Sequence, residues 1–360
     1  MEEATFFDFL IVGAGIAGST LALELNSLGQ KIAVIDLPNP HSSSRVAAGM
    51  VSPIVPRNVQ KSWHCDDIFP HVFQYYQHWE NLLNCRFIHQ IPTLQVHKNA
   101  SHTKNWEKRS RENGFKQHLS SVELESPEYL LPLPYGAALI HLSGKLDASV
   151  FIKAAAQYLK QQSVLWLNEE FVYSEMNITD NDVTYRNIKA KKVVFAQGIG
   201  LFENPFFKYL PLNATGGDIL TLRIKNLDHG LILKRKEWLI PIGDDLWLAG
   251  STYHKDSLSI EADKNDALAL IEQFKEWIPQ GIELINHVRA PRPTVETWRP
   301  FLGQHPKYKP LFVYNGLGSK GSSLVSFLSP LYAKFLLGQG DIPQEVNIRR
   351  LDELYLSAAL

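Results

Sequence analysis

The first 36 residues alternate between short apolar runs and a glycine-rich break. Residues 6–12 (FFDFLIV) are rich in β-branched and aromatic side chains, which is typical of a buried strand. Residues 19–28 (STLALELNSL) repeat apolar side chains at helical spacing before Gly29, so we expect a helix there. Residues 31–35 (KIAVI) predict a second strand that ends at Asp36. The pattern therefore predicts a strand–helix–strand unit with a glycine-rich turn after its first strand.

The rest of the chain mixes helical and strand-like periodicities. Further helices are predicted at residues 68–83, 105–113, 146–161, 262–277 and 322–337. Further strands are predicted at residues 93–96, 164–167, 171–174, 183–185, 219–224, 231–233, 238–242, 246–249 and 311–314. Asp147 is expected to cap the 146–161 helix, and Asp244-Asp245 is expected to form a hairpin turn.

These elements predict an α/β fold, α+β overall, in two discontinuous domains. A Rossmann-like nucleotide-binding domain is expected from residues 1–85, 143–212 and 290–360, and a substrate domain with an antiparallel sheet from residues 86–142 and 213–289. The irregular 86–142 segment contains a proline-rich stretch at 127–134, which suits an insertion that builds a substrate chamber.

Composition and charge exclude several classes of protein. With 45% hydrophobic and 20% charged residues among 360, the chain is globular and neither disordered nor fibrous. The net charge of −1 argues against extensive electrostatic binding to nucleic acid or to a membrane surface. Two cysteines, Cys65 and Cys85, are too few for a disulfide framework or a metal site of their own, and they fit a reducing cytoplasm. The acidic N-terminus predicts neither a signal peptide nor a membrane span.

The break between the first strand and helix reads GAGIAG, with Gly13, Gly15 and Gly18 in the spacing of a dinucleotide-binding turn. Gly13 makes the tight turn, Gly15 lets the backbone approach a diphosphate, and Gly18 lets the helix pack on the strand. Asp36, 23 residues after Gly13, can accept hydrogen bonds from a ribose 2′-hydroxyl. We therefore expect a dinucleotide with an unphosphorylated adenosine ribose, NAD or FAD, rather than a βαβ unit with an ordinary glycine turn.

The segment after Asp36 separates these two cofactors. An NAD-binding half would continue its βαβ repeat, whereas residues 42–53 (SSSRVAAGMVSP) are small apart from Arg45 and could lie against a large ring system. This favours FAD.

At this point the sequence resembles the superfamily of FAD-dependent D-amino-acid oxidases, glycine oxidases and sarcosine oxidases. The shared pattern includes IVGAGIAG…VID and SSRVAAGMVSP, and it continues in residues 192–198 (KVVFAQG), 238–243 (WLIPIG), 292–294 (RPT) and 300–303 (PFLG). The C-terminal segment 315–324 (NGLGSKGSSL) looks most like the FAD oxidase half of the bifunctional enzyme that trims carboxymethylaminomethyl-uridine in tRNA.

The resemblance implies oxidation of the C–N bond of a small amino acid or N-substituted glycine, by hydride transfer to flavin N5. It places the FAD-binding residues at Gly13, Gly15, Ile16, Ala17, Gly18, Asp36, Ser44, Arg45, Ala48, Gly49, Met50, Val172, Ala196, Gly198, Gly316, Gly318, Ser319, Lys320, Gly321 and Ser322. The last helix, capped by Ser322 or Ser323, is expected to point its positive N-terminus at the flavin.

Four residues are candidates for catalysis: Arg292, Arg289, Lys320 and Tyr253. Arg292 stands where the resemblance places a substrate arginine, and a guanidinium matches a carboxylate bidentately. Arg289 is three residues earlier, so in a strand it would face the opposite side. His254 and Tyr314 are weaker candidates for the substrate side.

The sequence departs from its relatives at two positions. Residues 289–292 (RAPR) contain no cysteine to carry a covalent flavin, so we expect non-covalent FAD. Trp247 is expected where some sarcosine oxidases place a lysine over the flavin, which favours a dehydrogenase with an acceptor other than oxygen.

Other functions remain open from sequence alone. One alternative is a tRNA wobble-uridine side-chain oxidase, for which basic residues cluster at 104–111 and at 234–236, although a solvated surface explains both clusters as well. A flavoprotein without catalytic activity and an NAD-binding module are the others. No metal site is predicted, and the oligomeric state is open.

Overall fold

The computed structural model describes residues 4–56, 58–122 and 131–358. The strands are β1 (Thr5–Val12), β2 (Ile32–Ile35), β3 (Met50–Val51), β4 (Ile54–Val55), β5 (Gln60–Lys61), β6 (Ile88–Gln90), β7 (Thr93–Val96), β8 (Leu119–Val122), β9 (Ala137–Ile140), β10 (Gly144–Leu146), β11 (Leu165–Leu167), β12 (Met176–Ile178), β13 (Val183–Tyr185), β14 (Ile188–Phe195), β15 (Leu212–Arg223), β16 (Ile232–Lys234), β17 (Trp238–Gly243), β18 (Leu246–Gly250), β19 (His254–Lys255), β20 (Glu283–Val295), β21 (Phe301–Gln304) and β22 (Leu311–Asn315). The helices are α1 (Ile16–Ser27), α2 (Ser43–Val46), α3 (Cys65–Ile68), α4 (Val72–Leu83), α5 (Ala100–Arg111), α6 (Ala148–Gln161), α7 (Lys264–Lys275), α8 (Gly321–Leu336) and α9 (Asp352–Ala358).

An eight-stranded sheet contains the predicted strand–helix–strand unit. Its order is β11-β2-β1-β14-β13-β12, with β22 beside the C-terminal half of β14 and β21 beside β22. β11, β2, β1, β14 and β22 run parallel. Their side chains are buried on both sides of the sheet, as expected for the continuous apolar runs of a parallel sheet covered by helices. The predicted nucleotide-binding architecture is confirmed.

A nine-stranded sheet covers one end of this unit. Its order is β19-β15-β18-β17-β16-β7-β9-β8, and β20 pairs with β15 along its length, with a register shift between Thr221 and Leu222 of β15. β17 and β18 form the predicted hairpin, in which Asp244 and Asp245 have φ values of +52° and +59°. Two smaller sheets join β3, β10 and β6, and β4 with β5.

The strand pairings assign each residue of the nine-stranded sheet to one of two faces. On one face Leu220 and Leu239 pack against α7, and we call this the helix face. On the other face Ile219 and Ile240 pack against residues 46–50, and we call this the cleft face. Because strand side chains alternate, the register alone decides which face each residue occupies.

Most predicted elements are confirmed, with boundaries shifted by a few residues. Residues 171–174 are not a strand, because the 3-10 turn Tyr173–Glu175 occupies this position. The predicted 68–83 helix is two helices, α3 and α4, separated at residues 69–71. Asp147 precedes α6, but its carboxylate bonds His89 and Lys145 instead of capping the helix. Most of the proline-rich stretch at 127–134 lies outside the described residues.

The predicted division into domains stays a prediction, and β20 runs through the boundary expected at residue 290. In the described part of the chain, no helix combines the length and the apolar character that crossing a membrane requires.

Candidate cofactor and substrate site

The turn between β1 and α1 packs against the end of β14. β1 ends at Val12 and α1 begins at Ile16. Gly13 has a φ of +95°, and a Cβ at this position would lie 2.6 Å from the carbonyl oxygen of Ala196. A Cβ on Gly18 would overlap the carbonyl oxygen of Gly13. Both positions therefore require glycine, and the turn brings the N-terminus of α1 to the carboxyl ends of β1 and β14.

The first turn of α1 presents backbone N–H groups without a partner in the described residues. They belong to Gly15, Ala17 and Gly18, whereas the N–H of Ile16 donates to Ser44 Oγ at 3.1 Å. The N-terminus of a helix carries partial positive charge, and its free N–H groups can donate to phosphate oxygens. This end of α1 therefore fits a diphosphate.

Asp36 lies beside this turn, directly after β2. Its Oδ1 accepts a hydrogen bond from the N–H of Ala14 at 2.9 Å, while Oδ2 has no hydrogen-bond partner in the described ranges. A carboxylate oxygen in this position can accept from a ribose hydroxyl. The role of Asp36 toward a ribose stays a prediction.

The segment after Asp36 folds back over the same region. Ser44 contacts α1 through the hydrogen bond to Ile16, and Arg45 is half-buried and forms no ion pair with any described residue. Ala48 is buried against the cleft face. A Cβ on Gly49 would overlap the carbonyl oxygen of Leu146, so the backbone at 49 can lie close to β10. This segment connects the nucleotide-binding sheet to the cleft face.

The predicted adenine-side residues lie at the end of β14. Gly198, with a φ of +58°, begins the 3-10 turn after this strand. Val172 lies next to the same segment, because Tyr173 hydrogen-bonds through its hydroxyl to the side chain of Gln197 at 3.1 Å. Ala196, Gly198 and Val172 therefore lie close together.

A second glycine-rich segment leads into α8. Gly316 and Gly318 have φ values of +75° and +57°, and a 3-10 turn, Gly318–Lys320, precedes the helix. A Cβ on Gly321 would lie 3.4 Å from Cγ2 of Ile16, so the first turns of α8 and α1 are neighbours. Two positive helix ends beside an acidic residue and close-approach glycines fit a dinucleotide cofactor.

The predicted serine caps of the last helix were wrong. Ser322 and Ser323 are buried inside the first turn of α8, and Lys320 stands at the residue before the helix. No side chain caps this end of α8 in the described structure. The helix begins one residue earlier than the sequence predicts because the 3-10 turn continues directly into it. Ser319 is exposed in that turn.

Arg292 lies on the cleft face of the nine-stranded sheet. It is opposite Thr215 in β15, and its guanidinium extends over Gly217, where a Cβ would overlap it. Arg292 is half-buried, yet it forms no hydrogen bond or ion pair with the described residues. Burial lowers the pKa of Arg292, while Tyr253 and Asp218 favour its charged form. Tyr253 is 54% exposed and stands at the rim of the cleft.

Arg289 faces the opposite side, as the strand spacing predicts, and its guanidinium hydrogen-bonds two carboxylates. Its Nε and Nη2 donate to the two carboxylate oxygens of Asp218 at 3.0 and 2.8 Å, and Nη2 also bonds Asp266. His254 Nε2 lies 3.3 Å from the same nitrogen. Arg289 therefore ties β15 to α7, and the geometry gives no support to a substrate contact for Arg289 or His254. Arg289 already hydrogen-bonds both carboxylates, so we assign no metal to them.

Asp218 is the centre of this network and is completely buried. Replacing it with asparagine should destabilise the protein by about 3 kcal/mol, because Arg289 and His287 would lose a buried partner. Burial alone would raise the pKa of Asp218, but hydrogen bonds from Arg289, Thr252 and His287 hold it below its ordinary value. The carboxylate therefore stabilises the fold above about pH 4, and this stabilisation is lost as the pH falls further.

Urea unfolding of wild type and Asp218→Asn checks both statements. The unfolding free energies of wild type and Asp218→Asn should differ by about 3 kcal/mol at pH 7, and this difference should become smaller below about pH 4. Asp341→Asn is the matched control, because Asp341 is exposed. Equal stabilities of Asp218→Asn and wild type at pH 7 would contradict the assignment.

Two aromatic residues expected at the substrate side are buried elsewhere. Trp247 is 0% exposed on the helix face, and its Nε1 donates to the carbonyl of Ile224 at 3.1 Å. Its neighbour Leu248 faces the cleft instead. The prediction that Trp247 lies over the flavin was therefore wrong, because adjacent residues of a strand point to opposite faces. Tyr314 is also fully buried, with its hydroxyl 2.9 Å from Ser329 Oγ. Trp247 therefore gives no reason to expect an electron acceptor other than oxygen.

Lys234 is a cleft residue that the sequence did not reveal. It pairs with Trp238 on the cleft face, and its Nζ lies 4.0 Å from Met50 Sδ. From sequence, Lys234 belonged to the basic 234–236 cluster and was interpreted as surface. The alternation of β16, in which buried Ile232 shares its face, is the signal that could have identified it.

Comparison with known proteins agrees with this geometry. Residues 8–331 match the family model described as FAD dependent oxidoreductase. The chain is 22% identical over 359 residues to the uncharacterized oxidoreductase YurR of Bacillus subtilis, covering 92% of this chain and 95% of that protein. It is 21% identical over 280 residues to the tRNA 5-methylaminomethyl-2-thiouridine biosynthesis bifunctional protein MnmC of Campylobacter jejuni. That match covers 76% of this chain and 42% of the MnmC protein.

Solved structures share the fold at low sequence identity. L-proline dehydrogenase from P. horikoshii superposes with a TM-score of 0.80 at 16% identity, covering 98% of this chain and 99% of that one. Iminodiacetate oxidase from Chelativorans sp. BNC1 and glycine oxidase from Geobacillus kaustophilus each give 0.78 at 17% identity, covering 94% of this chain and 98% and 96% of theirs. With the family model matching most of its length and the glycine turn, Asp36 and the α8 segment in place, this chain belongs to the FAD dependent oxidoreductase (DAO) family.

Proposed function

We propose that the protein oxidises the C–N bond of a small amino acid or N-substituted glycine whose carboxylate binds Arg292. The unpaired guanidinium of Arg292 on the cleft face is the observation that carries this proposal. A half-buried cation without a partner is unfavourable on its own, and a planar guanidinium binds a carboxylate through two parallel hydrogen bonds. The names of the structural neighbours, which include oxidases and a dehydrogenase of amino acids, support the same substrate class.

Bound FAD would supply the hydride acceptor for this reaction, in which the substrate carbon gives up a hydride, the amine nitrogen loses a proton to water and the C–N bond becomes an imine. Water adds to the imine, and the amine leaves to give an oxo acid. The chain's own contribution is orientation: Arg292 fixes the carboxylate, and the apolar side chains of Ile219, Ile240 and Leu248 shape the cleft around the reacting carbon. Tyr253 at the rim can donate its hydroxyl to the same carboxylate.

Several details of this reaction are part of the proposal. We propose that FAD is held without a covalent bond, since β20 offers no thiol beside the cleft, and that oxygen or another oxidant regenerates it. We also propose that the protein works in the cytoplasm.

Anaerobic titration of the purified flavoprotein tests the reaction. Glycine, sarcosine, L-proline and D-alanine are added one at a time, and at least one should bleach the visible absorption of the oxidised flavin. Reoxidation with oxygen or with an artificial dye then identifies the acceptor, and acid precipitation should release all flavin into the supernatant. An absorption spectrum unchanged by every small amino acid and N-alkylglycine would refute the proposed reaction.

A further inference from the structure

The cleft face carries a second cation besides Arg292. Lys234, at the end of β16, lies in one row with Trp238, Gly250 and Ile219 across four adjacent strands. Strands are spaced about 4.8 Å apart, so the backbones of Lys234 and Ile219 are separated by roughly 14 Å. The Arg292 guanidinium lies over Gly217, which is beyond Ile219 in the same strand. The two cations therefore occupy opposite ends of the cleft face.

The two basic residues that follow Lys234 have acidic partners, whereas Lys234, on the cleft face, has none among the described residues. Arg235 pairs with Glu276, and Lys236 pairs with Glu237. Lys234 forms no ion pair with any residue that the structure describes, and its only close polar contact is the Met50 sulfur at 4.0 Å. A thioether sulfur is a weak acceptor and carries no charge to balance an ammonium group.

A second ammonium group without an ion pair in the described structure, that of Lys320, influences Lys234 electrostatically. Lys320, in the 3-10 turn before α8, is half-buried and also has no ion pair among the described residues. Burial and the positive charge of Lys320 lower the pKa of Lys234 to about 8. Burial and Arg299 likewise lower the pKa of Lys320. A partly desolvated ammonium group that is also repelled by a second cation is stabilised when an anion binds to it.

We propose that Lys234 binds a second carboxylate of the substrate, so that the preferred substrates are amino acids carrying one carboxylate at each end. This inference rests on the proposed function, because it takes Arg292 as the site of the first carboxylate. One carboxylate cannot reach both ends of the cleft face, since Arg292 and Lys234 are separated by the width of three strands. Trp238 and the apolar residues between them suit the carbon chain of such a substrate.

The test compares two N-substituted glycines, one of which carries a second carboxylate group in place of a hydrogen atom. For wild type, N-(carboxymethyl)glycine should have a KM about 10- to 100-fold below that of sarcosine, as one charge-assisted contact supplies. Lys234→Met keeps most of the side-chain volume and removes the charge. It should raise KM for N-(carboxymethyl)glycine by at least about tenfold and leave KM for sarcosine and both kcat values within about threefold. Lys236→Met, whose side chain is 68% exposed, should leave both substrates unchanged.

A binding measurement separates this inference from the proposed reaction. Glutarate and butyrate differ by one carboxylate and are not amines, so their binding can be followed by perturbation of the flavin spectrum without turnover. Wild type should bind glutarate at least about tenfold more tightly than butyrate, and Lys234→Met should bind both equally. Equal affinity in wild type, or a glutarate preference that survives Lys234→Met, overturns the second-carboxylate site even where amino acids still bleach the flavin. Failure to bleach with a retained glutarate preference would instead refute the oxidation chemistry.

Discussion

Replacing Arg292 with alanine should lower kcat/KM for the amino-acid substrate about 100- to 1,000-fold. The side chain is the only cation placed over Gly217 among the described residues, and it has no competing partner there. Losing one side of a desolvated, hydrogen-bonded charge pair costs about 3–4 kcal/mol, and each 1.36 kcal/mol is a factor of ten in rate. Steady-state kinetics with the best substrate of the anaerobic panel measures this loss.

Conservative and remote variants give this prediction its controls. Arg292→Lys keeps the charge but loses the planar fork, so it should fall between wild type and Arg292→Ala. Arg111→Ala removes an exposed arginine on α5 and should change kcat/KM by less than about twofold. If Arg292→Ala retained kcat/KM within threefold of wild type, Arg292 could not be the carboxylate-binding residue.

Gly18→Ala should abolish most flavin binding. The added methyl group would overlap the carbonyl oxygen of Gly13 and lie 3.3 Å from Cβ of Ala196, so α1 must move away from β1 and β14. Overpacking of this kind destabilises a fold by about 1–3 kcal/mol. It also moves the free N–H groups of Gly15 and Ala17, so the Kd for FAD should rise at least about tenfold, equivalent to about 1.4 kcal/mol. Flavin content after purification and the Tm measure both effects.

Gly281→Ala is the control for the glycine prediction, because a Cβ at that position has no atom within 4 Å. It should retain wild-type flavin content and Tm within experimental scatter. A Gly18→Ala protein that purifies with full flavin would show that the first turn of α1 does not hold the diphosphate.

The nucleotide-binding part of the fold could be predicted because its information is local. The strand, the glycine turn, the helix and Asp36 follow one another within 31 residues, and each glycine has a steric reason that can be stated from sequence alone. The alternation of apolar side chains likewise located the β17–β18 hairpin. These predictions needed no knowledge of distant contacts.

The errors at the substrate side share one cause, which is strand register. Trp247 and Leu248 differ by one residue, yet they lie on opposite faces of the sheet, and only the pairing with β15 and β17 shows which faces the cleft. Lys234 was assigned to the surface for the same reason. The partners of Arg289 are even less local, since Asp218 is 71 residues away in sequence. Single-sequence patterns carry no register information over such distances.

The most direct test of the central claim is a crystal structure of the flavin-loaded protein with butyrate bound. The account predicts the FAD diphosphate on the first turn of α1, a ribose hydroxyl at Asp36, and the butyrate carboxylate hydrogen-bonded to the guanidinium of Arg292 on the cleft face. A diphosphate bound away from Gly15 and Gly18, or a carboxylate bound with Arg292 pointing elsewhere, would contradict it.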